Sequence, residues 1–220
     1  MAETKIYLIR HGAYDNPSRV YPGTQQGFPL NENGQAQVRQ LAEILKSKGI
    51  VLDAIYTSPL ERALQSAQII SEIFGKVKIT EAEDLKDTHI PNLEGRPLSI
   101  LEAEGYGNEY DIQFQGEGSE TRQDVIDRTW RLLNRVKQDH PGESIALFSH
   151  GDPIRFMLEE SQNRGKASDL EKLRDEDYPE LAEAIELRFG SSGEFLGVEH
   201  IRREKEPLRE DDMGSRLKEV

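Results

Sequence analysis

An α/β fold with a largely parallel sheet is predicted by two features of this 220-residue chain. Short apolar runs recur at residues 5–10, 52–57 and 145–148, each followed by turn chemistry and then a helical pattern. Strands separated in this way by helix-length segments pair in parallel. In such sheets, ligands bind beyond the carboxyl ends of the strands, so polar residues at strand exits deserve first reading.

The elements follow in order. Ile6-Tyr7-Leu8-Ile9 is a short buried strand, and residues 13–30 form a long loop of the kind that carries function. Asn31 caps a helix over about 32–48, with Val38, Leu41, Ala42 and Leu45 on one face and Gly49 as its stop. A second strand covers 52–57. Ser58 and Pro59 read as the cap and first residue of a helix carrying Leu60, Ala63, Leu64, Ala67, Ile70 and Phe74, and Gly75 ends it. Val77–Ile79 is a third strand. Residues 81–118 are loop-rich, with the acidic stretch EAEDLKD and a short helix at Leu98–Glu104.

Ser119 or Thr121 opens a helix to about 138, with Val125, Ile126, Thr129, Trp130, Leu133 and Val136 on its buried side. Ile145–Phe148 is a fourth strand, and a helix runs from Ile154. Ile185–Phe189 and Phe195–Ile201 flank Gly190-Ser191-Ser192-Gly193 as a terminal hairpin. No repeat or linker interrupts the pattern. Residues 1–202 are expected to form one domain and 203–220 a charged tail.

Composition narrows the function. Lysine and arginine number 28 against 41 aspartate and glutamate, a net charge of −13 that argues against nucleic acid and anionic membranes as partners. The chain has no cysteine, which excludes thiolate chemistry and Cys-zinc sites. MAETKIYLIR lacks the apolar core of a secretory signal, and no stretch is long enough to span a bilayer, so a cytoplasmic location is expected. Oligomeric state is left open, a homodimer included.

The strand exits hold the chemistry. The first strand ends in Arg10-His11-Gly12, the second in Thr57-Ser58-Pro59 with Arg62 a turn later, and the fourth in Ser149-His150-Gly151. The third points toward Asp87. Strands lying side by side would bring two arginines, two histidines and an acid together. Guanidinium forks match phosphate oxygens. A neutral imidazole is a nucleophile near neutral pH, and an acid can protonate a leaving alkoxide. The set describes phosphoryl transfer through a phosphohistidine on a small phosphorylated substrate. Other features read as ordinary structure: His89, His140 and His200 as surface or packing residues, Trp130 as core, Asp152 and Arg155 as supports for the loop and helix after His150.

RHG at 10–12, TSPLERALQSA at 57–67 and FSHGDPIR at 148–155 resemble the histidine phosphatase superfamily, the phosphoglycerate-mutase-like group. PLNENGQAQ (29–37) and LKDTHIPNLEG (85–95) resemble further segments of it. The resemblance implies a three-layer α/β/α fold with a mostly parallel central sheet. It implies His11 as nucleophile, Arg10 and Arg62 as phosphate ligands, and His150 as a second catalytic imidazole that also binds the phosphoryl group. The family's proton-donating glutamate falls at Asp87, one methylene shorter, which keeps Glu83 and Asp84 in view. Asn16 falls in the loop that supplies a further phosphate ligand in the family. No metal or cofactor is implied. Hydrolysis is the leading reading; a phosphoglycerate mutase, a phosphate-ligand binding module and a metal-dependent hydrolase are its rivals. The modest segment between Gly95 and Ser119 favours hydrolysis, since glycolytic mutases carry a longer insert there.

Overall fold

The computed structural model describes residues 3–163 and 178–204. Its strands are β1 (Thr4–Arg10), β2 (Ala54–Thr57), β3 (Ile79–Glu81), β4 (Ser144–Ser149), β5 (Ala184–Phe189) and β6 (Phe195–Ile201). Its helices are α1 (Glu32–Ser47), α2 (Glu61–Ile73), α3 (Leu98–Ala103), α4 (Arg122–Asp139) and α5 (Gly151–Asn163), with a single 3₁₀ turn at Glu83–Leu85. The strands form one sheet in the order β3-β2-β4-β1-β5-β6. β1 to β4 are parallel, and β5 runs antiparallel to both β1 and β6.

Alternation along the strands builds two cores. Tyr7 and Ile9 of β1, with Ala146 and Phe148 of β4, meet Leu41 and Leu45 of α1 and Ile70 of α2. Ile6 and Leu8, with Ile145 and Leu147, face the other way and meet Leu132 and Val136 of α4 and Met157 of α5. Both faces are covered, which is why these strands read as continuous apolar runs. Each such aliphatic side chain contributes roughly 1.5–3 kcal/mol on burial. The result is the expected three-layer α/β/α arrangement.

Caps set the helix starts. The Asn31 side chain accepts from Gly34 N at 2.7 Å. Thr121, rather than Ser119, caps α4 through a reciprocal pair with Asp124. Several boundaries differ from the sequence reading; β2, expected over 52–57, begins at Ala54. α2 begins at Glu61 with Leu60 at the cap position, because the Ser58 hydroxyl accepts from Leu60 N and also meets His150. α5 begins at Gly151, not Ile154; Pro153 fits inside the first turn, where N–H groups have no helical partner. β3 lies two residues later than expected, at Ile79–Glu81, where its register with β2 pairs Ile55 with Ile79. From residue 205 the charged tail lies outside the described residues.

The two long loops are not loose. Tyr21 packs with Ile90, Leu93, Leu98, Leu101 and Phe114 in a third apolar cluster. Tyr21 N donates to Arg96 O and Gly95 N to Tyr21 O, both at 2.9 Å. At the start of α1 the backbone of Gly34 lies directly against that of Gly12 and Ala13, and a Cβ on Gly34 would overlap the Ala13 carbonyl. Backbone cannot rotate away as a side-chain tip can. Gly34→Ala is therefore expected to destabilise the fold by about 1–3 kcal/mol, the usual range for overpacking, seen as a lower urea midpoint with an unchanged m-value.

Candidate active site

Strand pairing assembles the site. β1 and β4 pair in parallel with Arg10 opposite Ser149, so the next residue of each strand, His11 and His150, leaves the sheet at the same edge. His11 N donates to Ser149 O at 3.3 Å, and the two imidazole centroids lie 5.0 Å apart. β2 lies on the other side of β4, and Ser58 N donates to Phe148 O at 2.9 Å. The Ser58 hydroxyl meets His150 Nε2 at 3.0 Å. Arg62 is the second residue of α2 and is only 1% exposed. Asp87 follows the 3₁₀ turn.

The hydrogen bonds assign chemistry to individual atoms. His11 Nδ1 lies 2.8 Å from Gly12 O. A carbonyl only accepts, so Nδ1 carries the proton and Nε2 keeps its lone pair. Burial holds the His11 imidazole well below the ordinary histidine range, and the charges of Arg62 and Arg10 push the same way. The ring is thus neutral at neutral pH.

Arg62 Nη2 donates to Gly23 O at 3.0 Å and to Asp87 Oδ2 at 3.2 Å. Its Nε and Nη1 are buried without a hydrogen-bond partner. Buried donors left unpaired cost about 1–3 kcal/mol each, which an anion lying on that edge recovers. Arg10 Nη1 donates to Pro179 O at 2.7 Å, and its guanidinium lies over the Tyr178 ring at 5.2 Å. The start of α5 follows His150 directly, and its dipole adds positive potential. A local basic pocket therefore sits in an acidic protein.

The three acids of the 81–87 segment considered as proton donors, Glu83, Asp84 and Asp87, separate cleanly. Glu83 pairs with Lys86 at 2.6 Å and Asp84 with Arg131 at 2.9 Å. Asp87 alone of the three contacts the cluster, with Oδ2 3.2 Å from Arg62 and 3.8 Å from His150 Nδ1, the latter beyond hydrogen-bond reach. Its Oδ1 accepts from Thr88 N at 3.0 Å. Asn16 is occupied with its own loop: its side chain accepts from Val20 N at 3.1 Å and donates to Val20 O at 2.8 Å.

Several neighbours were not singled out by sequence reading. The Arg128 guanidinium donates to the carbonyls of Asp84, Lys86 and Asp87 at 2.7, 2.8 and 3.0 Å, which fixes the segment that carries Asp87. Tyr14 packs edge-on to His11 at 5.5 Å and lies under Arg62 at 5.3 Å. Tyr178 reaches Arg10 from far along the chain. Nothing local marks these three, because their roles depend on packing across elements. Arg155, expected to support the loop and helix after His150, pairs along that helix, α5, with Glu159 at 3.2 Å. Among the described residues, no group of three or more histidine, aspartate or glutamate side chains is placed to hold a metal ion.

Over 177 residues the chain is 32% identical to phosphoglycerate mutase-like protein 4 of Arabidopsis thaliana, covering 77% of this chain and 75% of that protein. It is 31% identical over 157 residues to the phosphatase PhoE of Bacillus subtilis (strain 168), covering 71% of this chain and 77% of that one. The solved structure of Bacillus stearothermophilus YhfR has the same fold, with a TM-score of 0.74 at 24% identity over 88% of this chain and 94% of that one. The model of the histidine phosphatase superfamily (branch 1) matches residues 6–187, and the chain belongs to that family.

Proposed function

We propose that the chain is a phosphatase that hydrolyses a small phosphorylated substrate through a phosphohistidine on His11, without a metal ion or cofactor. The observation that carries this reading is a neutral, buried imidazole with a free Nε2 beside an arginine whose Nε and Nη1 have no partner. That pairing suits a nucleophile and the oxygens of the group it attacks.

The cycle has two steps. His11 Nε2 attacks phosphorus in line, the P–N bond forms, and the bond to the leaving oxygen breaks. Asp87 gives that oxygen a proton. Water then attacks the phosphohistidine with Asp87 taking its proton, the P–N bond breaks, and phosphate leaves. Arg10, Arg62 and His150 stabilise the charge spread over the phosphoryl oxygens, which is the main catalytic term. Asn16 holds the loop nearby rather than the phosphate in this reading.

Rapid acid-free quenching of the wild-type protein with a phosphorylated substrate should trap phosphate on His11, found by peptide mass spectrometry; His11→Ala should carry none and fall to the uncatalysed rate. A metal-dependent reaction would instead lose activity in EDTA. Asp87→Asn is expected to slow alkyl phosphates by roughly 10²–10⁴-fold, the usual range for a general acid. In the first step alone, read as the pre-steady-state burst of phosphohistidine, p-nitrophenyl phosphate should suffer far less, since its leaving group needs no proton. Equal losses in that step on both substrates would remove Asp87 from the donor role. The mutase reading, which the relative named as mutase-like supports, predicts formation of 2-phosphoglycerate from 3-phosphoglycerate faster than phosphate release.

The buried nucleophile also predicts a pH dependence of stability. His11 binds its proton less readily in the folded chain than at the ordinary value of 6.5 expected when unfolded. Below that pH the unfolded state binds more protons, so stability falls as pH falls. His11→Gln should flatten the decline in urea midpoint between about pH 7 and 5.

A further inference from the structure

A second cluster of charge is linked to the same site through intervening side chains and takes no part in the cycle above. Arg122 opens α4, and its guanidinium lies over the rings of Tyr110 and Phe156 at 5.2 and 5.9 Å. Its Nε is buried without a hydrogen-bond partner. Across the α4–α5 contact sits Glu159, nearly buried. Its Oε1 accepts from Arg155 Nε at 3.2 Å, while Oε2 is buried and unpartnered. Burial pushes the Glu159 carboxyl up to about 7, against the opposing pull of Arg155 and Arg122.

Two contacts tie this cluster to the reacting centre. The Tyr110 hydroxyl meets Thr88 Oγ1 at 3.0 Å, and Thr88 is held by Asp87. On the other side, the Tyr178 ring lies under both Arg155, at 5.8 Å, and Arg10, at 5.2 Å. The cluster is thus linked through the Tyr178 ring to Arg10, and through Tyr110 and Thr88 to the carboxyl of Asp87. Arg155 makes the contact to Glu159 Oε1, and the Arg122 Nε–H is left without a hydrogen-bond partner. Partly desolvated charges interact strongly with a ligand. Stacking on ring faces occupies the plane of a guanidinium and leaves its N–H edge for hydrogen bonding.

We propose that Arg122, with Arg155 behind it, forms a second anion subsite that binds a carboxylate or second phosphate on the alcohol portion of the substrate. The placement rests on the phosphatase reading, which puts the reacting phosphoryl group between His11 and Arg62. Arg122 then selects substrates by charge at the end remote from the chemistry.

Binding to the His11→Ala protein, measured by calorimetry, separates recognition from turnover. 3-Phosphoglycerate and glycerol 3-phosphate differ only by a carboxylate in place of a hydroxymethyl group. Fructose 1,6-bisphosphate and fructose 6-phosphate differ by one phosphate. The charged member of at least one pair should bind ~10–100-fold tighter, the range for a charge-assisted hydrogen bond. Which pair shows the preference identifies the anion. Adding Arg122→Gln should remove most of that ratio, and Arg122→Lys should keep part of it. A ratio near one before the Arg122 change, a ratio that survives it, or failure to bind all four compounds overturns the subsite. Equal weakening of both members of a pair also overturns it, by showing a structural role. Failure of the phosphatase reading shows separately, as wild-type protein that releases no phosphate from p-nitrophenyl phosphate.

Discussion

The register of β1 against β4 is the constraint on which the site depends. Six residues of β1 pair with six of β4, from Lys5 opposite Ser144 to Arg10 opposite Ser149. Side chains alternate along a strand, so a slip of one residue would send Ile6 and Leu8 to the wrong core and separate the two imidazoles. The same apolar alternation that builds two cores therefore places His11 beside His150. Stability and site geometry rest on one interaction, and the helices that cover each face enforce it.

The polar groups at the sheet edge are buried, and burial shapes what they can do. A guanidinium in that environment needs partners, and the loops supply them: Gly23 O for Arg62, Pro179 O for Arg10. Those carbonyls hold the forks in place before any ligand arrives. Preorganised charge costs little reorganisation at the moment of reaction. The imidazole gains in a different way. Desolvation and two neighbouring cations keep it neutral, which is the form a nucleophile requires. The Arg128 clamp on the carbonyls of Asp84, Lys86 and Asp87 does for Asp87 what the strands do for the histidines.

Much of this was legible in the chain before folding. Apolar runs marked the strands, caps such as Asn31 and Thr121 marked helix starts, and the strand-exit rule picked out Arg10, His11, Arg62 and His150 as neighbours. The misplacements are instructive. Ser58 has the chemistry of a helix cap, yet its hydroxyl is drawn to His150, 92 positions away, and the helix starts later. The sequence starts a helix at Ile154, just after Pro153, but Pro153 fits within a first turn already under way at Gly151. In both cases local propensity was read correctly and a tertiary contact or a tolerated exception set the boundary.

What the amino-acid order alone determined was the alternation of apolar and polar residues, and with it the layers, the parallel sheet and the edge at which the ionisable groups emerge. These are properties of neighbours along the chain. Only the tertiary structure decided which of three nearby acids faces Arg62, that Arg128 fixes that acid's segment, that Tyr178 supports Arg10, and that Arg122 stands unpaired at its Nε beside Glu159. Each of these joins residues from separate elements, and their spacing in sequence carries no information about their distance in space until both cores have closed.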